Sequence, residues 1–128
     1  MVKKVAVKIW IDGAKDSMIT CDKLFINKRY HHSLFFLQLS LEKILKAVFI
    51  SKKNESPPYI HNLSLIAEKL GLNFSDEEVH ILDEISEFNI AGRYEDYKYK
   101  MYKKATSDDT QNLINKGKNL FDKFLKLV

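Results

Sequence analysis

Five stretches of the chain carry apolar residues at helical spacing. The first spans about Lys4 to Asn27. In it Val7, Ile11, Ala14, Met18, Cys21 and Phe25 step alternately by four and three residues, a heptad-like seam. The segment VAVKIW alternates briefly as a strand would, but the seam through Phe25 outlasts it. Gly13 lies inside this helix, at a cost of about 1 kcal/mol relative to alanine. The short Asn27-Lys28-Arg29 break turns the next helix back antiparallel.

Residues 33–50, SLFFLQLSLEKILKAVFI, are apolar on nearly every side. Leu34, Leu37, Leu41, Ile44 and Val48 form one seam; Phe35, Phe36, Leu39, Ala47, Phe49 and Ile50 cover much of the remaining circumference. Only Gln38, Glu42, Lys43 and Lys46 keep a narrow polar strip. A surface helix needs one apolar stripe, whereas this one needs cover on two flanks. It is therefore expected at the centre of a bundle, with a second subunit on one side. Leu34, Phe35, Phe36, Leu39 and Phe49 are the interface candidates.

The helix ends in SKKNESPP, where Pro57 and Pro58 cannot continue it. Asn62 is a good N-cap for a short third helix with Leu63, Ile66, Ala67 and Leu70 on one face, and Gly71 is placed to end it in left-handed geometry. Ser75-Asp76-Glu77-Glu78 reads as a capping box opening a fourth helix to about Ala91, with Leu82, Ile85 and Phe88 inward. Residues 93–104 show no period. Thr106 or Ser107 caps a last helix in which Leu113, Gly117, Leu120, Phe124 and Leu127 repeat the heptad-like step. The pattern predicts an all-α fold: an up-and-down antiparallel bundle of four main helices plus one short helix, as a single domain over residues 1–128.

Bulk properties narrow the class without naming an activity. At 128 residues the chain can bury a core without staples, and its single cysteine, Cys21, falls on an apolar helix face as a small core residue. The N-terminal stretch is broken by charges and lacks the unbroken apolar segment of a signal peptide, and no run approaches the length needed to span a bilayer. A soluble cytoplasmic protein is expected. The net charge of +4, from 21 basic and 17 acidic side chains, is compatible with nucleic acid or an acidic partner but demands neither.

Candidate chemistry is sparse. His31 and His32 are adjacent, His61 and His80 lie in other segments, and no His–His or Cys–His spacing suits a metal, so neither metal nor cofactor is expected. The four glycines make no phosphate-cradling loop, and no nucleophile elbow is present. Glu42 and Lys43 interrupt the apolar second helix, either as a solvated strip or an i,i+4 arrangement with Gln38 and Lys46, or as a polar contact that sets the register of the bundle or a partner. The segment RYEDYKYKMYKK is the best binding candidate. Arg93, Lys98, Lys100, Lys103 and Lys104 alternate with Tyr94, Tyr97, Tyr99 and Tyr102, supplying cations for phosphates and rings for base stacking. The alternative is an ordinary loop whose tyrosines pack on the bundle while the lysines face water.

Four ordered blocks resemble the HEPN domain family, the higher eukaryote and prokaryote nucleotide-binding family. WIDGAKDSM is similar to its opening helix at Trp10, Ala14 and Asp16. FLQLSLEKILKAVF is similar to its second helix at Gln38, Glu42, Lys43, Leu45, Lys46 and Ala47. PPYIHNL is similar to a Pro-Pro-x-x-His-Asp-Leu turn, with His61 retained and Asn62 in place of aspartate, and NIAGRY to an Arg-Tyr pair after the fourth helix. The resemblance covers nearly the whole chain. It implies a compact helical bundle and a homodimer. It also implies a nucleotide or RNA ligand, and a small nucleotidyltransferase as protein partner in a toxin–antitoxin-like module.

Catalytic members of the family cleave RNA with an R-x(4–6)-H motif. Here Arg93 is followed by Tyr94, Glu95, Asp96, Tyr97, Lys98 and Tyr99, and no histidine comes after it. The resemblance therefore implies a non-catalytic HEPN protein that binds nucleotide, RNA or a partner, with Arg93, Tyr94, Tyr97, Lys98, Lys100, Lys103 and Lys104 as binding candidates and Gln38, Glu42, Lys43, His61 and Asn62 as its motif polar residues. The alternative is a metal-independent ribonuclease using Arg93 with other partners.

Overall fold

The computed structural model describes residues 2–91 and 106–128. Among them are five helices and no strand: α1 (Val2–Ile26), α2 (Tyr30–Lys53), α3 (Leu63–Lys69), α4 (Asp76–Ala91) and α5 (Ser107–Leu125). The all-α bundle expected from the spacing is what forms. One cluster of buried apolar side chains draws on all five helices, with Cys21, Leu37, Ile44, Leu45, Ile66, Leu82 and Phe124 fully enclosed.

The helix ends follow from local chemistry. Asn62 caps α3 by accepting the Leu65 N–H at 3.0 Å. Ser75 and Glu78 make the reciprocal capping box: the Glu78 N–H donates to Ser75 Oγ at 3.1 Å and the Ser75 N–H to Glu78 Oε1 at 3.0 Å. Thr106 caps α5 by accepting the Asp109 N–H at 3.3 Å. Gly71 takes the left-handed conformation (φ 71°) after α3.

The α1–α2 turn is a Schellman closure built without glycine. The Arg29 N–H reaches back to Leu24 O at 2.8 Å and the Lys28 N–H to Phe25 O at 2.9 Å, while Lys28 itself sits at φ 61°. Across this turn the Phe25 and Tyr30 rings pack at 5.4 Å. The helix that the apolar pattern confines to residues 33–50 therefore extends by a polar turn at each end, because apolar spacing reports the buried face and not the reach of the backbone ladder. Asn54 closes its C-terminus in left-handed geometry (φ 58°). At the other end of the chain α5 stops at Leu125, with Lys126 as its C-cap, so the last step of its seam, Leu127, packs from beyond the helix.

The two-sided apolar character of α2 has an intramolecular explanation. Helix α1 packs along one side, and α3, α4 and α5 pack on the others. Leu34 (2 % exposed) and Phe49 (7 %) are enclosed by their own chain, whereas Phe35, Phe36 and Leu39 are half-buried. Of the interface candidates, Leu34 and Phe49 are thus covered by their own chain, and Phe35, Phe36 and Leu39 keep part of their surface uncovered. At Gly117, α5 comes so near α2 that a Cβ there would lie 2.8 Å from Leu37 Cδ1. Among the described residues no helix is long and apolar enough to cross a membrane.

Candidate functional site

Gln38, Glu42 and Lys46 fall at four-residue intervals, one turn apart on a single face of α2, which stacks their side chains. All three are buried. Polar groups taken from water need partners, since each unpaired one costs on the order of 1–3 kcal/mol. The Lys46 ammonium donates to Glu42 Oε2 at 2.8 Å. The Gln38 amide nitrogen donates to Glu42 Oε1 at 3.0 Å and to the His61 carbonyl at 2.8 Å. Gln38 Oε1 in turn accepts from the Asn89 amide at 3.0 Å, on α4. Three of the four hydrogen-bonding positions of Gln38 are thereby filled by three different segments.

His61 enters from the Pro57–Pro58 loop, and its Nδ1 lies 3.0 Å from Glu42 Oε1. Burial alone would push the Glu42 carboxyl up. The hydrogen bonds from Lys46, Gln38 and His61 outweigh that and hold it below the usual carboxylate range. An ionised carboxylate only accepts, so the Nδ1 position carries the proton and the imidazole is oriented by Glu42. The side chain of His61 is about half exposed (46 %), unlike that of Glu42 (8 %), so the pair runs from the core to the surface.

Two further contacts complete the arrangement. The Lys46 Nζ lies 5.6 Å from the centre of the Trp10 ring of α1, a cation–π distance. On α4, one turn before Asn89, Ser86 Oγ accepts the Leu63 N–H at 3.0 Å and fixes the chain as it leaves His61 and Asn62. Trp10, the polar ladder of α2, the His61 turn and the last turns of α4 are thus one connected unit. Residue 92, from which the basic tyrosine-rich segment continues, follows Asn89 by three positions.

Of the motif polar residues, Gln38, Glu42 and His61 converge and two do not. Lys43 points to the α1 side and donates to Ser17 Oγ at 2.8 Å, because its neighbour position on a helix is turned by about 100° from Glu42. Asn62 serves as the α3 cap. Lys46, already grouped with Gln38 and Glu42 by its spacing, joins the cluster, and so do Ser86 and Asn89, which their types alone do not mark. Ser86 and Asn89 share the inward stripe of α4 with Leu82 and Ile85. Nothing in sequence spacing pairs Asn89 with Gln38. The binding candidates Arg93, Tyr94, Tyr97, Lys98, Lys100, Lys103 and Lys104 lie outside the described residues. Among the described residues no three His, Cys, Asp or Glu side chains are grouped to hold a metal ion.

The sequence model of the HEPN domain matches residues 7–127. This chain belongs to the HEPN domain family. No curated protein and no solved structure matches it significantly. Three of the blocks that resemble the family lie in the structural unit just described, with Trp10 against Lys46, the Gln38–Glu42–Lys46 ladder and the His61 turn; of the fourth, residues 89–91 are described and Asn89 joins the unit. HEPN membership points to a nucleotide- or RNA-related role.

Proposed function

We propose that this HEPN domain binds a nucleotide or a single strand of RNA through residues 93–104 without cleaving it, and that it works as a homodimer beside a minimal nucleotidyltransferase. One observation carries the non-catalytic reading. Counted from Arg93, the positions where the R-x(4–6)-H motif places its histidine hold Lys98, Tyr99 and Lys100. Lysine and tyrosine are poorer general bases at neutral pH than the histidine they stand in for. The same side chains suit binding: ammonium groups pair with phosphates, and tyrosine rings stack on bases. The polar unit on α2 supports a positioning role. Its carboxylate is already engaged by Lys46, Gln38 and His61, and it ties down the α4 turn that leads into the segment.

Anisotropy titration of a labelled single-stranded RNA and of ATP tests the reading, with gel analysis of the same RNA. Affinity is expected to fall linearly with salt on a double-logarithmic plot. Each lysine-to-alanine change at Lys98, Lys100, Lys103 or Lys104 that removes a phosphate contact should reduce the slope by about one. The RNA should remain intact. RNA degradation that disappears in Arg93→Ala overturns the non-catalytic reading. Absence of any salt-dependent binding overturns the ligand assignment, and failure to co-purify with a co-expressed nucleotidyltransferase overturns the partner assignment.

A further inference from the structure

Helix α1 carries a second seam, on the face turned away from the core. Its inner seam runs through Val7, Ile11, Ala14, Met18, Cys21 and Phe25, all in or against the core. The opposite face presents Val5, Ile9, Asp12, Asp16, Ile19, Lys23 and Ile26, again stepping alternately by four and three residues. The apolar members are well exposed: Val5 59 %, Ile9 65 %, Ile19 54 % and Ile26 76 %. Among the described residues they make up four of the seven large hydrophobic side chains left exposed. Scattered exposed apolar residues need no explanation, but four β-branched ones in heptad register along one helix have the form of a helix-packing seam.

The charges in this seam select its partner. A parallel pairing of two copies would set Asp12 against Asp12, Asp16 against Asp16 and Lys23 against Lys23, three like-charge layers. An antiparallel pairing about a twofold axis between Ser17 and Met18 behaves differently. It sets Ile9 against Ile26, Asp16 against Ile19, and Asp12 against Lys23, each layer occurring twice. Lys23 then lies level with Asp12 of the other copy, and Asp16 follows one turn nearer the axis. Sliding the register by one heptad towards the N-terminus exchanges the Ile9–Ile26 layer for Ile9–Ile19 but sets Asp12 against Asp16, a like-charge contact. Sliding it the other way removes the Asp12–Lys23 layer. Every antiparallel register of two copies is twofold, and this one alone forms the Ile9–Ile26 and Asp12–Lys23 layers together.

We propose that the outer face of α1 is the surface on which a second copy of this chain docks, antiparallel, with Ile9–Ile26 and Asp12–Lys23 contacts across the axis. The inference rests on the homodimer part of the proposed function and assigns its face and register.

Sedimentation equilibrium of the full chain, with circular dichroism to confirm folding, tests the assignment. The wild type should be dimeric in the micromolar range. Ile9→Asp and Ile26→Asp should be monomeric with unchanged helicity, since both positions are exposed in the single chain. Asp12→Lys should weaken the dimer on the order of tenfold or more, and the exchange Asp12→Lys/Lys23→Asp should restore it. Oxidised Asp12→Cys/Lys23→Cys should give a covalent dimer, and Asp12→Cys alone should not. A wild-type monomer overturns both this inference and the homodimer reading. A dimer indifferent to Ile9→Asp and Ile26→Asp overturns the α1 face and leaves the homodimer standing. Cross-linking by Asp12→Cys alone overturns the antiparallel register.

Discussion

The Asn89 amide donates to Gln38 Oε1 at 3.0 Å, joining two buried residues that stand 51 positions apart in the chain. Gln38 uses its amide nitrogen on Glu42 and on the His61 carbonyl, so Asn89 supplies the donor for its oxygen from the opposite side of the core. The bond ties the end of α4 to the middle of α2. Asn89→Leu should destabilise the fold by about 1–3 kcal/mol, because a buried amide oxygen loses its donor. Gln38→Leu/Asn89→Leu should lose less than the sum of the single changes. Urea unfolding of the four proteins, treated as a double-mutant cycle, measures the coupling.

The Glu42 carboxylate is the hub of the same cluster, and it predicts a pH response. Its pKa is held down in the folded chain by the hydrogen bonds that overcome its burial. A depressed folded value means that the stabilisation is fully present above the unfolded carboxylate value and is lost as pH falls through the folded one. Stability should therefore hold above about pH 5 and drop below the ordinary carboxylate range. Glu42→Gln should be less stable at neutral pH by roughly 3–5 kcal/mol, since the Lys46 ammonium is left buried without its counter-charge, and its acid loss should be shallower. Urea midpoints at neutral and acid pH check both directions.

Two helical glycines should respond oppositely to alanine. Gly117 faces Leu37, with Cδ1, Cδ2 and Cγ at 2.8, 3.0 and 3.2 Å from the position a Cβ would take, and Leu37 is itself fully buried. Overpacking of this kind costs about 1–3 kcal/mol, more than the roughly 1 kcal/mol that alanine contributes to a helix. Gly13 faces only the flexible Lys43 side chain, at 3.5 Å. Gly117→Ala should lower the melting temperature and Gly13→Ala should raise it.

Lys28 holds a left-handed conformation that favours glycine. Lys28→Gly should stabilise the chain by roughly 0.5–1 kcal/mol, because the side-chain clash outweighs the added freedom of the unfolded state. Thermal unfolding measures it, and an unchanged or lower melting temperature contradicts it.

Cys21 is fully enclosed, and burial pushes its thiol up to about 11. Ser33 Oγ lies 3.3 Å from its sulfur and also donates to the Cys21 carbonyl at 2.8 Å. Ellman's reagent at about pH 8 should find no reactive thiol in the folded protein and one equivalent after denaturation.

The five helices were legible in the amino-acid sequence, because apolar spacing and capping chemistry are local. Asn62, Ser75 and Thr106 sit at the helix starts that their side chains imply, and Gly71 ends α3 as expected. The family was legible too, since its blocks are short runs of neighbouring residues. Local pattern could not say which element covers which side of α2. Apolar surface has no direction, and it is the packing of α1, α3, α4 and α5 around α2 that decides which of its apolar residues are enclosed. Nor could it show that Gln38 meets Asn89, or that Lys43 turns to Ser17 while Lys46 turns to Glu42 and Trp10. Those pairings depend on how helices distant in sequence pack. A hydrogen bond needs its two atoms within about 3 Å, and only the assembled core brings them there.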